Sequence, residues 1–406
     1  MRVAFFTDSF RENLGGLTRA AIALHDRLIG SGHAVRVFTL PQTGGPIHAG
    51  DVRLVRAIPL RPVPGLPPDS HLAWDYRGVR RELAEWRPDV VHLHTVLPVS
   101  WLGLLAARSL GIPVVATYHA NIRSAAVVLP AGRAVAVAAG RLVPVFYNRC
   151  DAVIAPSRFA AEELRRFGVR RPIAVISNGI DLDRFAPVEG AIPGHGCTNP
   201  GHAGPAAGAG PERTVTVLFV GRLSPDKGVD TLVEALDIAL SEEPGLRARI
   251  AGDGPRALAV RRALAPHVAA GRVTLLGHVP WEAMPAEYRS ADLLLFPSPT
   301  ETQGLAVLEA MASGLPVVAA RAGALPEVVR DGVSGITAAP GDAEALARAV
   351  LLLTRDPALR RRLGAGARAV AGEHEAGRVL EQVLALYAQV MGGRSGSAEV
   401  GGRGAA

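Results

Sequence analysis

The sequence predicts an α/β protein with two Rossmann-like domains, each a parallel sheet covered by helices. The chain has 406 residues, more than one hydrophobic core ordinarily serves and suited to two domains. Short β-branched runs alternate with amphipathic helical stretches over most of that length, as in parallel strands joined by crossover helices. One stretch rich in Gly, Pro and Ala interrupts the alternation, which then resumes.

The first domain is predicted over residues 1–186. Helical patterns lie between most of its apolar runs, as at 18–29, 101–110 and 159–167, where apolar residues recur at helical spacing. Its strands are expected at 3–7, 35–40, 90–95, 114–119, 153–156 and 173–177.

Residues 187–213 are predicted to form a linker, because Gly, Pro and Ala leave almost nothing to bury. The second domain follows at 214–375, a helix at 376–390 and a tail at 391–406 that we expect to be mobile. In such paired folds the ligand crevice lies beyond the carboxyl ends of the strands, here facing the other domain. The strands of the second domain are expected at 215–220, 248–251, 273–276, 293–296 and 317–319.

Composition narrows the class of function. The formal charge is +7, but the basic residues are dispersed and aromatics are only 5%, which argues against nucleic acid and leaves anionic phosphates or lipid headgroups as partners. We find neither a run of about 20 apolar residues nor the features of a signal peptide, so we expect a cytoplasmic protein. Cys150 and Cys197 fit neither a disulfide scaffold nor a zinc pattern.

Lys227 is the only lysine in a chain with 44 basic residues. It shares with Arg222 a loop that follows an apolar strand and precedes a helix, where amides and the helix dipole also favour anions. A lone lysine suggests a position that requires a compact ammonium rather than a guanidinium. The two cations are therefore placed to hold a diphosphate; the alternative is a solvated loop with two surface charges.

Glu301 and Glu309 form a second candidate group. Glu301 lies in the loop after a buried strand, where a carboxylate accepts hydrogen bonds from sugar hydroxyls and lies near developing positive charge. Glu309 lies about one turn inside the next helix and could accept both hydroxyls of a ribose. An acidic helix start that serves only the dipole explains poorly a glutamate between Leu308 and Ala310.

Two candidates lie in the first domain. His119 stands at the end of the strand 114–119, a position suited to hydrogen-bonding a sugar, although a lone histidine is more often a surface or core residue. Gly15 and Gly16 precede a helix, where missing side chains let the backbone approach phosphate closely. No GxGxxG pattern follows either opening strand, which argues against a nicotinamide cofactor.

A series of motifs in chain order resembles that of the family 4 glycosyltransferases, which have the GT-B fold. The resemblance runs from residue 1 to about 390, apart from the linker. The motifs are GGLTRA, ATYHAN, SNGID, GRLSPDKG, AGDGP, FPSPTETQGLAVLEAMASGLPVVA and ALPEVVRDGVSG. Gln303 departs from the pattern, since many members have an aromatic residue there.

The resemblance implies a role for each matching residue. It assigns the diphosphate to Arg222, Lys227 and Gly16, the ribose to Glu309, the donor sugar to Glu301 and the backbone of Gln303, Gly304 and Leu305, and the C6 hydroxyl of that sugar to His119.

The implied activity is retaining transfer of a hexosyl group, of mannose or glucose type, from a donor such as GDP-mannose or UDP-glucose. The runs TDSF and HTVLPVSWLGLLAARSLGIPVVATYHA look most like those of bacterial mannosyltransferases and glucosyltransferases, which implies a hydroxyl acceptor of lipid- or inositol-linked type. Neither a metal nor a cofactor is expected, because two cations and a helix terminus carry the charge of the leaving group. Two alternatives stay open, a nucleotide-sugar epimerase of the same fold and a non-catalytic module that binds sugar nucleotides.

The stretch 125–146 suggests a peripheral contact with the inner face of the membrane. Arg123, Arg133 and Arg141 are interleaved there with Val, Leu and Ala, a pattern suited to an anionic bilayer. The alternative is an ordinary helix packed on the sheet with solvated arginines.

Overall fold

The computed structural model describes residues 1–11, 15–41, 47–59, 71–119, 132–187 and 214–399. It divides into two compact units. Unit 1 comprises Met1–Gly179 and Ala376–Ala406, and unit 2 comprises Ile180–Glu375. Both are built on parallel sheets with helices, which confirms the predicted fold class.

Unit 1 contains a parallel sheet in the order β3-β2-β1-β6-β7-β8-β9 and a separate antiparallel pair, β4-β5. The strands are β1 (Arg2–Phe6), β2 (Ala34–Thr39), β3 (Asp51–Leu54), β4 (Ala57–Pro59), β5 (His71–Ala73), β6 (Val90–Leu93), β7 (Val114–Thr117), β8 (Ala152–Ala155) and β9 (Ile173–Val175). The helices are α1 (Gly16–Gly30), α2 (Tyr76–Trp86), α3 (Pro98–Ser109), α4 (Gly132–Tyr147), α5 (Arg158–Arg166) and, from the end of the chain, α14 (Ala376–Glu399).

Strand β1 shows why these strands are continuous apolar runs in the sequence. Ala4 and Phe6 belong to the core on one face of the sheet, and Val3 and Phe5 to the core on the other face. A strand buried on both faces needs apolar residues at every position. The second core also takes in apolar residues of α14, namely Val379, Val383, Leu386 and Tyr387.

Unit 2 contains a parallel sheet in the order β12-β11-β10-β13-β14-β15. The strands are β10 (Val215–Val220), β11 (Leu246–Ala251), β12 (Val273–Gly277), β13 (Leu293–Phe296), β14 (Val317–Ala320) and β15 (Gly335–Ala338). The helices are α6 (Val229–Glu242), α7 (Ala257–Ala263), α8 (Ala265–Ala269), α9 (Met284–Arg289), α10 (Leu305–Ala312), α11 (Leu325–Val328), α12 (Ala343–Arg355) and α13 (Pro357–Gly372).

The division between the units differs from the boundary expected at residue 186. The chain joins unit 2 at Ile180, whose amide donates to the carbonyl of His374 at 2.9 Å, and Phe185 is buried near Tyr288. Apart from Pro187, the predicted linker lies outside the described residues. Helix α14 continues to Glu399, past the end expected at 390, and the rest of the predicted tail lies outside the described residues.

The strand order of unit 2 positions the candidate site. Strands β10 and β13 are neighbours in the sheet, although β11 and β12 lie between them in sequence. The chain moves outward from β10 in one direction and later from β13 in the other. Loops diverge at such a switch point and leave a crevice at the carboxyl ends of the strands, where open α/β sheets bind ligands.

Candidate functional site

The loop after β10 fixes the orientation of Arg222. The buried Asp226 accepts a hydrogen bond from Arg222 Nη2 at 2.9 Å, and Ser224 Oγ accepts one from Arg222 Nε at 3.1 Å. Ser224 in turn donates to Asp226 at 2.5 Å, so the three side chains form one network. The Arg222 side chain is still 52% exposed. The guanidinium is therefore held in place on one side and open to solvent on the other.

The loop after β13 is tied to the loop after β10 through hydroxyl groups. Thr300 donates to the backbone carbonyl of Asp226 at 2.8 Å, and Ser298 Oγ lies 3.2 Å from the same carbonyl oxygen. Gly228 allows the loops to approach closely, because it has a φ of 67° and a Cβ there would lie 2.4 Å from the carbonyl oxygen of Pro297. Only glycine satisfies both conditions without strain.

Lys227 and Glu301 form an ion pair between these two loops. Lys227 Nζ donates to Glu301 Oε1, and Ser298 Oγ lies 2.9 Å from the same oxygen. The Lys227 side chain is 25% exposed and that of Glu301 11% exposed, so the pair is only partly shielded from water. The structure thus brings the lone lysine and the first glutamate of the predicted pair into direct contact, which the sequence had not indicated.

Gln303 lies just before α10, and Glu309 lies within it. Gly304 precedes the helix with a φ of 85°, and Gln303 is buried. Glu309 is buried one turn inside, where it accepts a hydrogen bond from Tyr288 Oη of α9 at 2.7 Å. Since the first amides of a helix lack intrahelical partners, the backbone from Gly304 to Leu305 offers donors to a polar ligand.

His119 and Gly16 belong to unit 1, whereas the other candidates belong to unit 2. His119 lies two residues beyond β7, which ends at Thr117 rather than at the expected residue 119, and Gly16 is the first residue of α1. Burial lowers the pKa of His119 to about 4, so its imidazole is neutral near pH 7. A neutral imidazole exchanges hydrogen bonds with a hydroxyl but does not supply positive charge.

Polar groups beside His119 were missed in the sequence. His94, after β6, lies with Nδ1 3.5 Å from His119 Nε2, and burial lowers its pKa well below the usual value. His92 forms hydrogen bonds with Tyr387 at 2.6 Å and with Thr117 at 2.7 Å. The signal that could have identified this group is the alternation of two histidines at the end of an otherwise apolar strand.

An acidic group at the end of β1 was also missed. Asp8 is buried, and this burial raises its pKa to about 6, although hydrogen bonds from Thr95 and the Val99 amide oppose the shift. In unit 2 the overlooked residues are Asp226, Ser298, Thr300 and Tyr288. The polar run Ser224–Lys227 and the Ser298 between two prolines were available as signals, whereas nothing in the sequence links Tyr288 to Glu309.

One group of potential metal ligands lies in unit 1. Among the described residues, His25, Asp26 and His48 bring one ligand atom each within 4.8 Å of one another. Asp26 Oδ1 lies 2.8 Å from His25 Nδ1 and 2.7 Å from His48 Nε2. Burial opposes ionisation of Asp26, but these hydrogen bonds outweigh it and lower its pKa. This group is separate from Arg222 and Lys227, the two cations expected to take the place of a metal at the donor site, which belong to unit 2.

Only part of the predicted membrane-facing stretch can be located. Arg123 lies outside the described residues, as does the side chain of Arg133. Arg141, Leu142 and Val145 are exposed on α4, while Val143, Phe146 and Tyr147 of the same helix belong to the core. No helix in the described part of the chain combines the length and the apolar character required to cross a bilayer.

Sequence comparisons match both halves of the chain to glycosyltransferase families. Residues 14–184 match the profile described as Glycosyltransferase Family 4, and residues 214–356 match Glycosyl transferases group 1. A D-inositol 3-phosphate glycosyltransferase from Streptomyces griseus is 33% identical over 87% of this chain and 80% of its own length. A GDP-mannose-dependent alpha-mannosyltransferase from Corynebacterium glutamicum is 27% identical over 83% of this chain and 76% of its own length.

Among the solved structures that share the fold are two that cover nearly all of this chain. Sucrose-phosphate synthase from Thermosynechococcus elongatus has a TM-score of 0.77 at 23% identity, covering 97% of this chain and 99% of its own. Anabaena HepE in complex with UDP-glucose has a TM-score of 0.71 at 20% identity, covering 96% of this chain and 100% of its own. These likenesses confirm the predicted GT-B fold.

Proposed function

The chain belongs to glycosyltransferase family 4, and on that premise we propose that it moves a hexosyl group from a nucleotide-diphosphate sugar to a hydroxyl acceptor with retention of configuration. The observation that carries the proposal is the convergence of Lys227 and Glu301 at the switch point of unit 2. Cations suited to a diphosphate and carboxylates suited to sugar hydroxyls occur together there.

Each part of the donor has a matching group. Lys227 and the open side of Arg222 take the diphosphate, and Glu309 takes the ribose hydroxyls. Glu301 and the backbone at Gln303, Gly304 and Leu305 take the donor sugar. Neutral His119 hydrogen-bonds the C6 hydroxyl, and Gly16 lies near the diphosphate.

The proposed chemistry depends on charge compensation. As the bond between the anomeric carbon and the diphosphate breaks, negative charge grows on the leaving group and Lys227 stabilises it. The acceptor hydroxyl attacks from the face that the diphosphate leaves, and its proton passes to a diphosphate oxygen. The enzyme contributes position and charge rather than a covalent intermediate.

The donor class and the acceptor class are proposed from the relatives. One of these relatives is named for an inositol phosphate and another for GDP-mannose. We therefore propose a mannose- or glucose-type sugar on GDP or UDP, and an inositol-type or lipid-linked hydroxyl acceptor. The charge of +7 suits acceptors that carry phosphate.

A donor that binds the native state is expected to raise the melting temperature even in excess EDTA, because the two cations take the place of a divalent ion. The stabilisation is about 2.7 kcal/mol when the ligand is present at a hundred times its Kd. GDP-mannose, UDP-glucose and UDP-N-acetylglucosamine are the donors to compare, with free mannose as the control.

Two results would count against this proposal. Transfer that stops on chelation and returns with magnesium or manganese would contradict metal independence. Conversion of a donor to its epimer without any acceptor would support the epimerase alternative instead.

We also propose a peripheral contact between α4 and an anionic bilayer. Arg141, Leu142 and Val145 present a basic and apolar exposed face, and each basic residue near such a surface contributes about 1 kcal/mol. Wild-type protein should co-sediment with anionic vesicles at physiological salt and not with neutral ones. Arg141→Glu should reduce binding several-fold, whereas Arg166→Glu, on the exposed surface of α5, should not. If the wild-type protein did not bind anionic vesicles, the proposed membrane contact would be wrong.

A further inference from the structure

Lys227 and Glu301 are assigned to different parts of the donor, yet they contact each other. Lys227 Nζ donates to Glu301 Oε1, the same oxygen that lies 2.9 Å from Ser298 Oγ. The ammonium is directed at a carboxylate of its own chain rather than at solvent. A diphosphate that binds Lys227 must compete with that carboxylate.

The residues around the pair hold the two loops in place, so the competition for Lys227 involves side chains only. Arg222 is already paired with Asp226 at 2.9 Å, and the Thr300 hydroxyl bonds the loop after β13 to the Asp226 carbonyl. Because these bonds hold the backbone in place, a diphosphate and Glu301 can exchange on Lys227 by a side-chain rotation. Ser298 remains beside the carboxylate and stabilises it after the lysine has left.

We propose that Glu301 is the internal counter-ion of Lys227 and exchanges with the donor diphosphate. The proposal rests on the function proposed above and adds to it a coupling between two parts of the donor. When the diphosphate takes the ammonium, an oxygen of Glu301 is released to accept a sugar hydroxyl. When the product diphosphate dissociates, Glu301 takes the lysine back, which opposes retention of the product.

The exchange predicts an unusual result for Glu301→Gln. Binding of a diphosphate without a sugar should become tighter, because the neutral amide no longer competes for Lys227. An increase of about twofold to fivefold in affinity corresponds to the loss of one partly exposed ion pair. Turnover with the complete donor should fall in the same variant, because the sugar loses its carboxylate.

Titration calorimetry with inorganic pyrophosphate, UDP and GDP measures the effect without relying on activity. The matched control is Glu287→Gln, since Glu287 pairs with Arg249 in the same unit at comparable exposure and does not contact Lys227. It should leave the affinity unchanged. Melting temperatures of both variants establish that they are folded.

Simple repulsion between Glu301 and the ligand is separated from exchange by repeating the substitution in a Lys227→Met background. Exchange predicts that the gain from Glu301→Gln disappears there, because no ammonium remains to be released. Repulsion predicts the same gain in both backgrounds, and that result would overturn the proposal. An unchanged or weaker affinity of Glu301→Gln itself would also overturn it. Binding of UDP or of GDP by wild type would leave the proposed function standing in either case, whereas binding of no probe by wild type or variant would contradict both proposals.

Discussion

Replacing Lys227 with alanine is expected to lower turnover by a few hundredfold and to change the melting temperature little. A charge-assisted contact that strengthens in the transition state is worth roughly 3 to 4 kcal/mol, whereas a side chain on a loop contributes little to the core. Lys227→Arg should rescue little, since the planar guanidinium is larger and cannot place its charge beside Glu301 and Ser298 in the same way. Steady-state kinetics and thermal melts on both variants measure the effect.

A matched control is available in the same sheet. Arg249→Ala breaks the ion pair with Glu287, which is shielded to a similar degree, and removes one positive charge as Lys227→Ala does. It should keep near-normal turnover. If Lys227→Ala behaved like Arg249→Ala, or if Lys227→Arg worked at the wild-type rate, the requirement for a compact ammonium would be wrong.

The sequence predicted well those elements whose burial leaves a clear pattern. Strands β10 and β13 are apolar through most of their length because helices cover both faces of the sheet. Strand β3 was missed because it carries Asp51, Arg53 and an exposed Leu54. Strand β15 was missed because it has only four residues, begins with Gly335, and has two half-buried residues in its middle.

The members of the site in unit 2 were predicted from their positions after strands and at helix starts, but their contacts were not. Lys227 and Glu301 are 74 residues apart, and only the adjacency of β10 and β13 brings them together. Asp226 was overlooked because a loop aspartate is usually a solvated turn residue. Here its carboxylate orients Arg222 and its carbonyl anchors the next loop.

Replacing Glu309 with glutamine is expected to lower kcat/KM by about a hundredfold with little loss of structure. Glutamine keeps the shape and can still accept from Tyr288, but hydrogen bonds to a neutral group are weaker than those to a charged one by about 1 to 1.5 kcal/mol each. Two ribose hydroxyls sharing the carboxylate therefore account for roughly 2 to 3 kcal/mol.

Kinetics with donors that lack one ribose hydroxyl test whether that loss arises at the ribose. Wild type should discriminate strongly against 2′-deoxy and 3′-deoxy donors, and Glu309→Gln should lose most of the discrimination because the intact ribose no longer gains from the charge. Tyr288→Phe is the control, since it removes the 2.7 Å hydrogen bond to Glu309 but keeps the carboxylate. If Glu309→Gln lowered the melting temperature as Tyr288→Phe does and left discrimination intact, Glu309 would be a packing partner of Tyr288 and not a ligand of the ribose.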